Sequence, residues 1–247
     1  RELFEKNAKT FSFAAKFLGK QRLSKIIVLY EFCRVVDDIA DDSNDVTQAK
    51  SKLIDYKRDI KKGASKDPYL QSFIAFLWDE QVDKRYAIDL LDGVISDCEG
   101  AIRIDTEEAL IRYCYHVAGT VGGLMCPLLG VPRRDIEHAT PAAINLGIAM
   151  QLTNIARDIK EDAQNNRVYI PQDWIKIKNP DSLLINPQSV KTDAREACLK
   201  LLILADDYYK QARLGYSYLP LRSRFTIMIA ANLYRAIGTK IRKKGLK

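Results

Sequence analysis

The chain has only two histidines in 247 residues, His116 and His138, and they share no ligand spacing. A histidine-based metal centre is therefore excluded. Its five cysteines, Cys33, Cys98, Cys114, Cys126 and Cys198, are scattered, odd in number and form no CxxC pair. That argues against a disulfide framework or a thiolate zinc site, and leads us to expect a reducing, cytoplasmic setting. No secretory leader is recognisable at the start, and no apolar run reaches the ~18 residues of a membrane span. Proline (8) and glycine (12) are sparse. No alternating stretch is long enough to build a sheet, and no repeat has a solenoid period.

What remains is a helical chain. Apolar residues make up 47% and charged residues 29%, enough for a sizeable core. The net charge of +7 and pI near 9.0 call for an anionic partner: nucleic acid, an anionic membrane surface or an anionic small substrate. Lysine and arginine are dispersed rather than gathered on one recognition element, so nucleic acid is not expected. Helical segments are predicted at 3–18, 21–40, 46–61, 67–83, 83–95, 106–130, 140–166, 192–214 and 219–244. Asp67–Pro68 reads as an N-cap followed by a first-turn proline. Thr106 caps the next-but-one helix, with Glu107 and Glu108 in its first turn. Thr140–Pro141 reads as the start of the longest segment. A loop with one short helix is expected over 169–190. The expected fold is all-α, one domain over residues 1–247 with a central cavity between helices.

Two acidic stretches do not look like ordinary surface. In YEFCRVVDDIADD (30–42), Arg34, Asp37, Asp38 and Asp41 fall within an arc of about 100° on a helix. In QLTNIARDIKED (151–162), Gln151, Asn154, Asp158 and Asp162 share an arc of roughly 80°, with the apolar Leu152, Ile155 and Ile159 on the side adjoining it. Asn and Asp are poor helix formers in mid-helix, and stacked carboxylates repel unless a cation is shared between them. All-oxygen sites of this kind suit Mg²⁺, which often bridges to substrate phosphates. Arg34, Arg157 and Arg167 are placed to receive a diphosphate.

CRVVDDIADD (33–42), YCYHVAGTVG (113–122), QLTNIARDIKEDAQNNRVYIP (151–171) and ADDYYKQARLGYSYLPLRSRFTIMIAANLYRAIG (205–238) together resemble the squalene/phytoene synthase family. The likeness runs from about Phe4 to Lys244 and is strongest to bacterial phytoene synthases. It implies an isoprenoid synthase fold with the two acidic motifs on opposite cavity walls, holding two to three Mg²⁺ ions, with Mn²⁺ as a substitute. It also implies head-to-head condensation of two geranylgeranyl diphosphates through prephytoene diphosphate to phytoene. The alternative is a farnesyl diphosphate-using dehydrosqualene or squalene synthase, the latter with NADPH.

By position, the resemblance makes Asp37, Asp38, Asp41, Asn154, Asp158 and Asp162 metal ligands. It assigns Arg34, Arg157, Gln151, Asn154, Thr10 and Arg167 to the diphosphates, and Tyr30, Tyr113 and Tyr234 to the cavity. Ala8 stands where the family has a phosphate-near serine, which leaves Thr10 as the matching hydroxyl. Leu124, Met125, Leu146 and Met150 are candidates for the closed end of the prenyl pocket. Gly119, Gly122 and Gly123 serve close helix packing or a thin cavity wall. Chains of the family usually run on past the point matching Lys247, so a short or trimmed form is expected. The basic end, Arg235 to Lys244, raises the expectation of peripheral association with the inner membrane face.

Overall fold

The computed structural model describes residues 17–41, 45–98, 101–175 and 188–244. The predicted 3–18 helix and Thr10 lie almost wholly outside these residues. Helices α1 (Lys20–Asp41), α2 (Val46–Lys62), α3 (Pro68–Asp79) and α4 (Lys84–Asp97) form the first half. Then come α5 (Glu107–Cys114), a π-helical turn (Tyr115–Gly119), α6 (Thr120–Leu128), α7 (Ile136–Gln164), α8 (Gln188–Ala212) and α9 (Leu221–Lys244). α7 is the axis, packed against α6, α8 and α9.

Several boundaries follow from side-chain chemistry. Asp67 Oδ1 accepts from the N–H groups of Tyr69 (2.8 Å) and Leu70 (3.2 Å), with Pro68 opening the helix. These bonds, the Leu70 N–H foremost, hold the Asp67 carboxyl below its usual range. Thr106 Oγ1 accepts from Ala109 N at 3.3 Å. Asp45 and Asp83 cap α2 and α4 in the same way. Gly63 closes α2 with φ 81, a left-handed conformation that glycine adopts without strain.

Two expectations need correcting. The longest helix begins at Ile136, not Thr140, and Pro141 lies inside it. Thr140 Oγ1 donates to Ile136 O at 2.6 Å. Pro141 removes only the bond to the carbonyl of Glu137, an exposed position that water can serve. α8 likewise starts at Gln188 and ends at Ala212, where a 3₁₀ turn (Arg213–Tyr218) takes over. There is also a two-residue parallel ribbon, β1 (Ile102–Arg103) with β2 (Arg167–Val168), in register Ile102↔Arg167. Arg103 reinforces it, donating to Asn166 O (2.8 Å) and Oδ1 (2.7 Å). The ribbon ties the loop after α4 to the loop after α7 and so fixes Arg167.

The core is a single apolar cluster in which Phe32 of α1 stacks on Phe73 of α3, ring centres 3.7 Å apart. Where the π turn and α6 cross α7, main chain meets main chain. A Cβ on Gly122 would fall 2.2 Å from Ala143 O, and one on Gly147 2.2 Å from Ala118 O. Gly123 admits the Tyr86 ring in the same way. The packing role expected of the 119–123 glycines is therefore present.

Alanine normally favours a helix over glycine by about 1 kcal/mol. Gly147→Ala is expected to do the reverse here, costing about 1–3 kcal/mol as the crossing is forced apart. At roughly 2–4 °C per kcal/mol for a chain of this size, thermal unfolding followed by circular dichroism reads the difference. An unchanged or raised midpoint would show that the crossing has slack.

Candidate active site

Two cavities meet at the centre. The first, about 360 Å³, is apolar and lies between α1, the π turn with α6, α7 and the 212–234 segment. The second, about 290 Å³, is polar. Asp37, Val117, Gln151 and Asn154 line both. The periodicity of the two helices explains this junction. Tyr30, Cys33 and Asp37 follow one another along one side of α1, and Met150, Gln151 and Asn154 along one side of α7. Volumes of this order are typical of small-molecule sites.

The polar cavity is lined by Asp37, Asp97, Asp158, Asp162, Arg167, Tyr113 and Tyr169, among others. Asp162 is pushed up to about 7, chiefly by burial and then by the neighbouring Asp158 charge, with Arg167 pulling the other way. Tyr113 donates to Asp97 Oδ2 at 3.1 Å and stacks on Tyr169, ring centres 4.8 Å apart. Burial, then the Asp97 charge, pushes Tyr113 up strongly and Tyr169 up to about 12, so both phenols stay protonated. Asn154 Nδ2 donates to Gln151 Oε1 at 3.3 Å, while its buried Oδ1 has no partner among the described residues. Leaving such an oxygen unpaired is costly.

The candidate residues are gathered unevenly. Asp37, Gln151, Asn154, Asp158, Asp162, Arg167 and Tyr113 face the polar cavity, and Tyr30 and Tyr234 the apolar one. Asp38 lines neither and pairs with Arg34 of its own helix at 2.5 Å. Arg157 forks onto Asp158, with contacts of 2.7 and 2.6 Å. Both arginines thus hold carboxylates where they were expected to hold phosphate. Asp41 is the last residue of α1, and its side chain lies outside the described residues. Of the four candidates for the pocket end, Met125, Leu146 and Met150 line the apolar cavity, whereas Leu124 is sealed in the core. His116 is a packed residue: its Nδ1 sits 2.9 Å from the Asp89 carbonyl, and Tyr115 donates to the Asp89 carboxylate at 2.6 Å.

The squalene/phytoene synthase family model matches residues 4–247. The chain belongs to the squalene/phytoene synthase family. A 15-cis-phytoene synthase of Enterobacter agglomerans is 36% identical over 253 residues, covering 98% of this chain and 84% of that protein. A 4,4'-diapophytoene synthase of Staphylococcus haemolyticus is 32% identical over 98% of this chain and 86% of its own. Among solved structures, a dehydrosqualene synthase in complex with ligand superposes with a TM-score of 0.82 at 27% identity, covering 98% of this chain and 84% of that one. The all-α isoprenoid synthase fold expected from the resemblance is thus the fold observed. Squalene/phytoene synthases act on prenyl diphosphates with a divalent metal.

The donor set fits such an ion. It is all oxygen, it includes a buried acceptor without a partner among the described residues, and burial together with the Asp158 charge raises the proton affinity of Asp162. Among the described residues, no three acidic, His or Cys side chains already converge as a cage. Asp97 and Tyr169 are site residues that the motifs did not single out. Asp97 follows Asp89 and Asp92 at the end of α4, outside both acidic motifs, and only the tertiary fold brings it into the cavity that Asp158 also lines.

Because Asp162 binds its proton more tightly when folded than when unfolded, folding retains a proton that the unfolded chain releases. In chelator, the stability of the metal-free protein is expected to fall as pH rises from about 4 through about 7. Asp162→Asn should flatten that slope, as should millimolar Mg²⁺. Chemical denaturation at pH 5 and pH 8 measures it, and equal slopes in both proteins would place the titration elsewhere.

Proposed function

We propose that the protein condenses two geranylgeranyl diphosphates head to head, by way of prephytoene diphosphate, to phytoene. In the first step one substrate loses diphosphate and its C1 bonds across the double bond of the other; loss of a proton closes a cyclopropane. In the second step the remaining diphosphate leaves, the ring opens with rearrangement to a 1–1′ linkage, and a second proton is lost. No reductant enters this balance. The observation that carries the reading is the junction itself: an acidic, arginine-bearing chamber opens directly into an apolar one.

When bound, Mg²⁺ would supply charge neutralisation that lets the C–O bond ionise. Asp37, Asn154, Asp158 and Asp162 are the described residues suited to hold it, and Asp38 and Asp41 complete the set by resemblance. Arg167 faces the chamber where phosphate oxygens would lie. Arg34 and Arg157 sit beside it on carboxylates they can release as an ion and phosphate arrive. Tyr113 and Tyr169 keep their protons and can donate to a leaving diphosphate. In the apolar cavity, Val117, Val121, Leu146 and Ile227 exclude water from a cation, and the faces of Tyr30 and Tyr234 can stabilise one.

The likeness to phytoene synthases over nearly the whole chain supports the twenty-carbon substrate. The apolar wall on α7 runs from Met150 to Ala139, about 16 Å at 1.5 Å per residue. The remote end is floored by small residues, Ala139, Ala142 and Gly215. Gly215 sits so close that a Cβ would come 2.6 Å from the Ala142 Cβ. A reducing cytoplasmic location belongs to this reading, supported by five free cysteines, four of them buried.

Incubation with Mg²⁺ and either C15 or C20 diphosphate, with and without NADPH, tests the proposal by the hydrocarbon formed. The expected product is C40 without reductant; C30 alone would overturn the C20 reading in favour of dehydrosqualene or squalene synthesis. Asp158→Ala should lower turnover by about 100-fold or more while helical content is kept. Ala142→Leu should fill the floor of the cavity and move the product ratio toward C30 from mixed substrates, with the fold checked by circular dichroism.

A further inference from the structure

The last forty residues of the sequence, 208–247, contain ten lysines and arginines and no aspartate or glutamate. Against a whole-chain charge of +7, that segment holds more than all of the net positive charge. Its structure is two-sided. Toward the interior, Ala212, Gly215, Tyr216, Leu219, Ile227 and Tyr234 wall the apolar cavity. On the outer side of α9, Leu221, Phe225 and Met228 follow one another at i, i+4 and i+7, 79%, 54% and 40% exposed. Leu214, on the 3₁₀ turn just before, is 75% exposed. Phe17 adds an edge-on ring to Phe225, centres 5.3 Å apart.

Cations frame this stripe. Arg213 and Arg222 are exposed, and Arg222 reaches Gly19, next to the exposed Lys20. The basic end of α9, by contrast, is partly engaged. Arg235 donates to Asp206 Oδ1 at 2.9 Å, and Arg242 pairs with Asp206 Oδ2 at 2.8 Å. Burial works against that carboxylate, but the two arginines more than offset it and hold it below its usual range. At the start of α9, exposed cations thus stand directly beside exposed apolar surface. Exposed large apolar side chains in line on one helix face, flanked by cations, are the pattern of a helix that lies on a bilayer. No described helix is long and apolar enough to cross one.

We infer that the 213–228 face docks on an anionic lipid bilayer, with Leu214, Leu221, Phe225 and Met228 entering the acyl boundary and Arg213 and Arg222 meeting lipid phosphates. One layer of chain then separates the apolar cavity from the membrane. Resting on the proposed function, this gives a water-insoluble C40 product a path from cavity to lipid that avoids water. Lipid docking itself is read without substrate, so it can be judged separately from turnover.

The test is sedimentation of the 247-residue protein with vesicles of phosphatidylcholine containing about a third phosphatidylglycerol. Wild type is expected to bind these vesicles and to bind pure phosphatidylcholine far less, with binding falling as salt rises. The double variant Leu221→Ser/Phe225→Ser should reduce partitioning about tenfold or more. Arg213→Gln/Arg222→Gln should remove the preference for phosphatidylglycerol. Circular dichroism and turnover in detergent should be unchanged in both variants. Wild type that stays in the supernatant, or variants that bind undiminished, would overturn the inference. So would light scattering showing a wild-type dimer that Leu221→Ser/Phe225→Ser makes monomeric, since the face would then belong to a second copy. Vesicle binding without any prenyl turnover would sink the proposed reaction and leave the docking face standing.

Discussion

Gly122 and Gly147 let two helical segments cross with main chain against main chain, and the position of both cavities follows from that approach. A side chain at either place would push α7 away from the π turn. α7 carries Gln151, Asn154, Asp158 and Asp162, whereas α5 and the π turn carry Tyr113 and Val117. Only a close crossing brings these two sets to one chamber. The π turn matters for the same reason. Its extra residue per turn widens the helix locally, and here Val117 borders both cavities. The glycines cost intrinsic helix stability, and the fold recovers it through contact that no larger residue permits.

The chamber so formed is electrostatically unfinished. Among the described residues, four aspartates face it, and Arg167 is the arginine that lines it. Arg157 neutralises Asp158 from its own helix, and Arg34 does the same for Asp38 on α1, outside the lining of both cavities. These same-helix pairs are partly exposed and individually weak. They keep the carboxylates compatible with a helix while leaving them exchangeable. Asp162, with burial against it and no fork of its own, bears the residual strain as a raised proton affinity. The unpartnered Asn154 Oδ1 points to the same deficiency. A divalent cation with a diphosphate would correct all three at once: it takes the carboxylates and frees the arginines for phosphate oxygens.

The sequence made some of this legible because some of the information is local. Asp67–Pro68 and Thr106 announce helix starts through bonds that span three residues. The shared arc of Gln151, Asn154, Asp158 and Asp162 needs only the helical period. Asp97 leaves no sequence signal because its neighbours, Tyr113 and Tyr169, are brought near by tertiary packing, with no spacing to betray it. The π turn leaves no periodic trace, and a ribbon of two residues per strand is shorter than any alternation pattern. Thr140–Pro141 misled because a threonine before a proline has the chemistry of a helix start. Here the threonine hydroxyl bonds back into a helix already under way. Asp37 and Asp38 were equivalent in sequence; helix rotation separates them, one into the cavities and one onto Arg34.

α9 shows why a helix can be neither simply core nor simply surface. A helix with water on its outer side ordinarily pairs a buried apolar stripe with a polar one. α9 instead has Ile227, Ala230 and Ala231 buried inside and Leu221, Phe225 and Met228 exposed outside. Leaving three large apolar side chains 40–79% exposed forgoes part of the roughly 1.5–3 kcal/mol that full burial of each would give. Nothing in the folding of the isolated domain requires that arrangement, because serine or lysine would satisfy the same positions. Asp206, clamping Arg235 and Arg242, keeps the far end of α9 against α8. The start of the helix is left as the thin partition between an apolar chamber and the outside. A hydrocarbon product gives both sides of that partition a reason to be apolar.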